Sequence, residues 1–326
     1  MLDEKVAQRI SLALNFKQSD RIPICEFIDN PKVFEYFCHD SNPSIEDKVK
    51  AYHQLGIDIC WRFERRQSLR YQGILEKLQR FALRQKKINA LSPFELSEEI
   101  DDFKQQQKLF YPFTCLAMSV EGCLSIAYKT FGFEAFCKKM YVDLLEIEKL
   151  IDICADNLYQ RALRFADEEL GQLFFIKDHI AYDKGLLFSK NFLLRHWIPK
   201  IKQAIAPLKE KNIKVILHSR GNFTQVIDDL QQAGFDGIHP IDSQSGMNIG
   251  LIKKQYAKNL LLFGNVDLKA SQSSGPDQIN ALTRECIKKA SYDGGHFIGT
   301  VHGINRDLKL QQVLSFFSAV RDLSAI

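Results

Sequence analysis

Residues 215–222 read Val-Ile-Leu-His-Ser-Arg-Gly-Asn, and this stretch decides the fold. Its three apolar residues are too few for a helix and are rich in β-branched side chains, which predicts a short buried strand. His218 and Arg220 follow at the point where that strand ends. Residues 224–234 then carry apolar side chains at helical spacing and stop at a glycine, which predicts a helix. The stretch is therefore one unit of strand, polar loop and helix.

The same unit recurs along the chain. The predicted strands are apolar runs that end in polar residues, and they cover residues 20–27, 57–63, 112–119, 173–176, 215–217, 237–241, 260–263 and 296–299. In the second half they recur about every 20 to 40 residues, which is the size of a βαβ unit. Eight strands that alternate with helices predict an α/β fold, a (β/α)8 TIM barrel, with a doubly wound open sheet as the alternative.

The predicted barrel is a single domain over residues 1–326 with an N-terminal helical extension. Residues 3–17 place apolar side chains on one helical face, with Asp3 as the N-cap, which predicts a helix before the first strand. Residues 67–110 are less regular, and their alternating and polar pieces suggest a β-excursion. Long helical periodicity returns over residues 124–139 and 144–170.

Composition narrows the class of protein. Hydrophobic residues make up 45% and charged residues 26% of the chain, as in ordinary folded proteins. A net charge of +4, spread along the chain, indicates neither a nucleic-acid nor a membrane partner. We expect a cytoplasmic protein, because the start lacks a signal-peptide pattern and no apolar run reaches the roughly 18 residues of a membrane span. The eight cysteines form no Cys-x-x-Cys pair, which argues against a zinc cluster or a disulfide framework.

Polar residues directly after the predicted strands are the candidates for a site. In parallel α/β folds ligands bind at the carboxyl ends of the strands, and this rule selects Asp178, His218, Arg220 and His302 as catalytic candidates. Three of them have a structural alternative. His218 could satisfy a buried hydrogen bond, Asp178 could cap a helix, and Arg220 could be a surface charge. His302 stands between two glycines, Gly299 and Gly303, which suggest close approach of a ligand to the backbone.

Weaker candidates occupy similar positions. They are Glu26, Tyr182, Ser189, Asp242 and Asp267, together with the arginines at positions 62, 65 and 66. The aspartates could equally cap helices, and the arginines could form a solvated face or an anion site.

Seven segments, taken in order, carry a resemblance to a known family. They are residues 19–24 (Ser-Asp-Arg-Ile-Pro-Ile), 177–181 (Lys-Asp-His-Ile-Ala), 218–222 (His-Ser-Arg-Gly-Asn), 233–238 (Ala-Gly-Phe-Asp-Gly-Ile), 245–248 (Ser-Gly-Met-Asn), 263–267 (Phe-Gly-Asn-Val-Asp), and 294–298 (Gly-Gly-His-Phe-Ile) through 302–304 (His-Gly-Ile). Together they resemble the uroporphyrinogen decarboxylase superfamily, which also contains cobalamin-dependent methyltransferases. The resemblance implies a (β/α)8 barrel with its site at the carboxyl ends of the strands.

Residues 27–31 depart from the porphyrin decarboxylases of that superfamily. Those enzymes resemble this chain in the first strand but follow it with an Arg-Gln-Ala-Gly-Arg segment, whereas this chain reads Phe-Ile-Asp-Asn-Pro. A tetrapyrrole with many carboxylates needs fixed guanidinium groups to hold it. The departure therefore favours the methyltransferase branch, with a small anionic substrate or a methyl group that a corrinoid on a partner protein carries.

The same branch implies a zinc ion, which activates the acceptor thiol. Its ligands there are a histidine, a cysteine two residues later and a second cysteine near the last strand. Here His218 matches the first ligand, Arg220 replaces the second, and His302 stands near the third. A zinc site on His218 and His302 would need a carboxylate such as Asp178 or Asp242 to complete it.

Three hypotheses remain open at this point. The first is a methyltransferase-like enzyme of this superfamily. The second is a cofactor-free decarboxylase of uroporphyrinogen or another acidic substrate, in which Arg220 or Arg62 supplies the positive charge. The third is a non-catalytic ligand-binding barrel that has lost the thiolate ligands.

Overall fold

The computed structural model describes residues 1–61, 93–167, 170–269 and 275–324. These residues form two compact units, one within Met1–Arg62, Gln105–Ala117 and Asp236–Ile326, the other within Phe63–Lys104 and Met118–Phe235. We call them unit 1 and unit 2. The prediction of a single domain over 1–326 stays a prediction.

Strands and helices alternate along the described chain. The strands are β1 (Cys25–Glu26), β2 (Ile28–Asp29), β3 (Ile59–Cys60), β4 (Cys115–Leu116), β5 (Met118–Glu121), β6 (Leu173–Lys177), β7 (Ala181–Tyr182), β8 (Gly185–Leu186), β9 (Lys214–His218), β10 (Gly237–His239), β11 (Leu261–Phe263), β12 (His296–Phe297) and β13 (Ile304–Asn305). The helices are α1 (Glu4–Leu14), α2 (Pro31–Cys38), α3 (Ile45–Leu55), α4 (Pro93–Phe110), α5 (Cys123–Phe131), α6 (Phe133–Val142), α7 (Leu144–Asp167), α8 (Lys190–Phe192), α9 (Ile198–Glu210), α10 (Ile227–Ala233), α11 (Ile249–Tyr256), α12 (Pro276–Ala290) and α13 (Leu310–Ser324). A π-helical turn, Leu193–Trp197, joins α8 to α9.

In unit 1 the segment of the first strand lies beside the segment of β12. β1 pairs in parallel with β3, and β3 with β4. On the other side of β1, Ile24 forms a parallel bridge with Ile298, just after β12. β12 pairs in parallel with β11, and β11 with β10. First and last strands that meet in this way are what a closed barrel of parallel strands requires.

In unit 2 three parallel strands follow one another in space as they do in the chain. β6 lies between β5 and β9, with Phe175 opposite Ser119 on one side and Ile216 on the other. Phe174, Phe175 and Ile216 are 0% exposed, as expected for strands that are covered on both faces.

An ion network anchors helix α1 to the rest of unit 1. Asp3 caps the helix by accepting from the backbone N–H groups of its first turn. Further along, Arg9 donates from Nη1 to Asp58 at 2.6 Å, and Asp58 also accepts from Arg21 Nη1 at 2.7 Å. Asp58 is 1% exposed, so its charge depends on these two partners.

The structure confirms the strand positions and corrects two other predictions. Residues 93–110 are helix α4, so the predicted β-excursion is wrong there, because Leu96, Ile100 and Phe103 are buried at helical spacing. Residues 67–92 of that prediction lie outside the described residues. The helix predicted over 124–139 divides at Gly132, whose φ is +80°. In the ranges described above, no helix combines the length and apolarity that crossing a membrane requires.

Candidate functional site

Three polar side chains lie side by side at the carboxyl ends of β5, β6 and β9. Glu121 is in register with Lys177, and Lys177 is in register with His218. Residues directly opposite on parallel strands point to the same face of a sheet. Phe174, on the other face of β6, contacts the ring of Phe165 in α7, with 5.2 Å between the ring centroids. The row of Glu121, Lys177 and His218 therefore lies on the face that points away from this helix.

Positive charge dominates around this row. Glu121 Oε1 lies 3.3 Å from Lys177 Nζ, and Glu121 Oε2 accepts from Lys129 Nζ at 2.6 Å. Burial alone would raise the pKa of Glu121, but the two lysines outweigh it and hold that pKa below its ordinary value. Arg220, exposed in the loop after β9, adds a third cation. Three cations against one carboxylate favour an anionic ligand.

His179, directly after Asp178, forms a pair with His218. Their rings meet edge-on, with centroids 5.4 Å apart and planes at 70°. The backbone N–H of Arg220 donates to His179 Nδ1 at 3.4 Å, so the neutral ring carries its proton on Nε2. Burial, followed by the charge of Lys129, lowers the pKa of His179 to about 4. At neutral pH His179 is thus an uncharged hydrogen-bond donor among cations.

Asp178 is fully buried and caps helix α5. Its Oδ1 accepts from the backbone N–H of Ser125 at 2.6 Å, and its Oδ2 accepts from Leu124 N at 3.2 Å and from Trp197 Nε1 at 2.8 Å. Burial raises the pKa of Asp178 to about 6, although these hydrogen bonds oppose the rise. A Cβ at Gly122 would overlap this carboxylate, which explains the glycine. The catalytic role predicted for Asp178 stays a prediction, and the geometry favours a positioning role.

The loop after β9 packs closely against the β7–β8 hairpin. Asn222 N donates to Tyr182 O at 3.0 Å. Gly221 has a φ of +80°, and a Cβ at this position would overlap the backbone of Tyr182. Both observations explain the glycine. The tight loop holds Arg220 next to His179.

The other predicted residues of unit 2 lie in the neighbouring hairpin and helix. Tyr182 is 47% exposed at the hairpin. Ser189 Oγ accepts from Phe192 N at 3.2 Å and so caps α8. The arginines at positions 62, 65 and 66 lie outside the described residues.

His302 belongs to unit 1, in the bend between β12 and β13, where it is half-buried. The structure of the chain itself explains why the two positions near His302 are glycines. A Cβ at Gly299 would overlap the backbone oxygen of Cys25, and one at Gly303 would lie 3.4 Å from the backbone oxygen of Phe27. The overlap with Cys25 explains Gly299, and a left-handed φ of +70° explains Gly303, both without a ligand.

Glu26 ends β1 as a buried carboxyl. It is 1% exposed, and its two oxygens accept from the backbone N–H groups of Phe27 at 2.8 Å and Thr300 at 2.7 Å. Burial raises the pKa of Glu26 to about 7.

The two aspartates of unit 1 stabilise turns. Asp242 accepts from the backbone N–H of Gln244 at 3.0 Å and from Ser245 Oγ at 2.7 Å. Asp267 accepts from Lys269 N at 2.9 Å and from Gln244 Nε2 at 2.5 Å. Neither aspartate caps a helix, because the next helices begin at Ile249, with Asn248 as N-cap, and at Pro276.

A family model described as uroporphyrinogen decarboxylase (URO-D) matches residues 108–323. The chain belongs to the uroporphyrinogen decarboxylase family. The match covers well over half of the sequence, and in unit 2 it contains the whole row of Glu121, Lys177 and His218.

One solved structure shows the fold of this family member. A methyltransferase from Methanosarcina mazei is similar with a TM-score of 0.73 and 17% identity, over 97% of this chain and 98% of that one. D-psicose 3-epimerase from Clostridium cellulolyticum H10 is similar with a TM-score of 0.46 and 10% identity, over 93% and 99%. The comparison with curated proteins gave no match. The α/β, (β/α)8 fold class predicted from the sequence is confirmed.

The donors in the uroporphyrinogen decarboxylase fold of this chain do not suit zinc. No group of three or more His, Cys, Asp or Glu residues is placed to hold a metal ion within the described ranges. The position two residues after His218 is Arg220, a cation without a lone pair to donate. Zinc on His218 and His302 stays a prediction.

Four residues of the candidate site in this family member were not predicted from the sequence. They are Glu121, Lys129, Lys177 and His179. Lys177 and His179 flank Asp178 in a segment that the family resemblance already included, so the rule of strand ends could have found them. Lys129 lies on α5, and no sequence pattern marked it as a candidate site residue.

We expect His179 of this uroporphyrinogen decarboxylase family member to stay neutral far below its ordinary pKa. Since its folded pKa is lowered to about 4, it stabilises the fold above the unfolded value near 6.5, and that contribution is lost as pH falls toward 4. NMR of the imidazole protons between pH 3.5 and 8, with His179→Gln to assign the resonance, measures this. A midpoint near 6.5 would contradict the burial argument.

Proposed function

We propose that this chain is a methyltransferase of the family that acts on a small anionic substrate at the carboxyl ends of β5, β6 and β9. The observation that carries the proposal is the group of cations around two histidines. Lys129, Lys177 and Arg220 surround a ring, His179, that stays uncharged at neutral pH. Such a site attracts an anion and offers it a neutral hydrogen-bond donor.

The segment after β1 supports a small substrate over a tetrapyrrole. Where the porphyrin decarboxylases have arginines, this chain has Asn30, which is 1% exposed. Its Nδ2 donates to the backbone oxygens of Asn305 at 2.8 Å and Leu308 at 3.0 Å, and its Oδ1 caps α2 by accepting from Lys32 N at 3.0 Å. The segment is therefore part of the fold's framework, and it has no guanidinium group for tetrapyrrole carboxylates.

Electrostatics would activate the acceptor in this mechanism. A cation within about 4–6 Å lowers the pKa of an acidic group by about 1–3 units, so Lys177 and Arg220 would favour the deprotonated acceptor. The acceptor loses its proton to the ring of His218, and its lone pair then forms the new bond to the methyl carbon as the bond from that carbon to the donor breaks. His179 would donate from Nε2 to the bound anion and hold it in place, and His218 would complete the site beside it. A corrinoid on a partner protein, which would supply an electrophilic methyl group when bound, stays a prediction.

Methyl transfer is favoured over the two other hypotheses by two features together. The methyltransferase from Methanosarcina mazei is similar over nearly the full length of both chains. The row in unit 2 also keeps titratable groups in register at three strand ends, which a barrel that only binds would not need.

The test uses methylcobalamin as donor and 3-mercaptopropionate as acceptor, with the thioether measured by mass spectrometry. We expect transfer by the parent and a rise of about 10- to 100-fold in the KM for the acceptor in Arg220→Ala, because a charge-assisted hydrogen bond is lost. Arg195→Ala is the matched control, since Arg195 is exposed in the π-helical turn. It should leave KM unchanged.

Two results would contradict the proposal. The first is release of carbon dioxide from uroporphyrinogen without any thioether formation, which would favour decarboxylation. The second is an unchanged KM in Arg220→Ala, which would place the anion elsewhere.

A further inference from the structure

Unit 1 has a cavity of its own, and every residue that lines it belongs to this unit. Its volume is about 460 Å³, and it lies between the loops after β10 and β11 and one face of α12. Pockets for small molecules measure about 300–1,000 Å³, so this volume suits a small ligand. The wall includes residues 265–267, which belong to one of the segments that carry the family resemblance and have no role in the proposed function.

Asn265 supplies this cavity with a hydrogen-bond acceptor that the protein does not use. The residue is 9% exposed, and its Nδ2 donates to the backbone oxygen of Ile241 at 2.8 Å. Its Oδ1 has no hydrogen bond to the described residues, yet it is not one of the fully buried polar atoms without a partner. Oδ1 therefore keeps accessible surface, and because Asn265 lines the cavity, that surface faces the cavity.

Gln244 and Asp267 add further acceptors to the wall. Gln244 Nε2 donates to Asp267 Oδ2 at 2.5 Å, and this orientation of the amide leaves Gln244 Oε1 without a bond to the described residues. On α12, Glu285 and Lys289 form an ion pair. Together with Asp267 these charged side chains give the described wall a net charge of −1. The cavity therefore attracts a cation and offers it acceptors.

Apolar side chains make up much of the remaining wall. Met247 and Val266 are each 2% exposed, and Leu282 adds apolar surface from α12. A ligand pocket typically combines such apolar surface with a few polar groups that fix the orientation of the ligand. The ligand that fits this wall carries a group of hydrogen-bond donors and a short hydrocarbon part.

We propose that this cavity binds a small organic cation, an ammonium group with a short alkyl chain. An ammonium group has three N–H donors and no acceptor, so it matches a wall that offers acceptors. Asn265 Oδ1 accepts one N–H, and the carboxylate of Asp267 accepts another in a charge-assisted hydrogen bond. The alkyl chain contacts Met247 and Val266. This site does not depend on the proposed function, whose cationic site in unit 2 would repel such a ligand.

Titration calorimetry at pH 7 and constant ionic strength tests this inference with n-butylammonium and 1-butanol, which share one alkyl chain. We expect the parent protein to bind n-butylammonium about 10-fold more tightly, because charge-assisted hydrogen bonds are stronger than neutral ones. Asp267→Asn keeps the shape of the side chain without its charge, so the preference should fall to about 3-fold or less. Asp277→Asn, exposed in the first turn of α12, is the matched control and should keep the preference.

A second variant tests the acceptor of Asn265. In Asn265→Ala we expect n-butylammonium to bind about 3- to 10-fold more weakly, with circular dichroism to verify the fold. Since this change also removes the bond to Ile241, Gln244→Ala, at an exposed position, replaces it if the variant does not fold, and it should weaken binding about 3-fold.

Three results would overturn the inference. They are a parent protein that does not bind n-butylammonium, a parent that binds both probes equally, and Asp267→Asn with the full preference. Arg220→Ala should bind n-butylammonium as the parent does. Weaker binding there would place the cation in unit 2 and would also count against the inference, whereas thioether formation tests the proposed function separately.

Discussion

Replacing His218 with alanine is expected to lower turnover in methyl transfer by about 10²- to 10⁴-fold, the usual contribution of a positioned catalytic side chain. His218 stands in register with Lys177 on the polar face, and its ring packs edge-on against His179. Alanine removes the polar group beside the bound anion and frees the ring of His179. Because His218 is 8% exposed at a strand end, we expect a smaller effect on the free energy of unfolding, within about 2 kcal/mol.

The matched control for this variant is His196→Ala. His196 contacts the Phe192 ring at 5.0 Å and Glu148 at 2.7 Å, within the helical part of unit 2. This variant also loses packing and a polar contact, but it should keep its turnover. Steady-state kinetics and urea unfolding on both variants separate chemistry from stability. Turnover at the level of the parent protein in His218→Ala would remove His218 from the mechanism.

The second large effect is on stability. Replacing Asp58 with alanine is expected to lower the free energy of unfolding by about 2–3 kcal/mol, because Arg21 loses its buried carboxylate and Arg9 keeps only Asp20 as a partner. Arg9, 7% exposed, would lose its contact of 2.6 Å to Asp58, and Arg21 would lose one of 2.7 Å. The backbone N–H of Ile24, which donates to Asp58 at 2.8 Å, would also lose its acceptor.

Urea denaturation followed by circular dichroism measures this change. Asp47→Ala is the control, because Asp47 forms an exposed pair with Lys50 at 2.7 Å, and such pairs contribute little. If both variants unfold at the same urea concentration, the network of Asp58 does not stabilise the fold as we argue. In contrast to His218→Ala, Asp58→Ala should leave the kinetic constants of the folded fraction unchanged, since Asp58 lies in unit 1 and precedes β3.

Strand positions were predictable from the sequence because parallel strands that are buried on both faces appear as short apolar runs. The run at 215–217 became β9, and the one at 173–176 became β6. Helix α4 was missed because its polar stretches weaken the periodicity, although Leu96, Ile100 and Phe103 keep it. Burial in the folded protein, which a single sequence does not show, determined that this segment is a helix.

The candidate site was only partly predictable, and the register of neighbouring strands explains why. The third strand was predicted to stop at Ser119, but β5 continues to Glu121, so the carboxylate that binds Lys129 and Lys177 fell outside the prediction. The alternation of side chains along a strand explains the orientation of Asp178. It follows Lys177 and therefore points to the opposite face, where it caps α5. Which residues share a face depends on how neighbouring strands align, and that alignment is absent from any one segment.

The pairing of Ile24 with Ile298 has a consequence for how the chain is made. During synthesis β1 emerges early, yet one of its two edges stays open until the segment around Ile298 has been translated. The contact from Thr300 N to Glu26 closes a loop of 274 residues. Such long-range pairing slows folding, and an open strand edge invites pairing with other chains. We therefore expect nascent chains of this protein to depend on chaperones until the ribosome has passed Thr300.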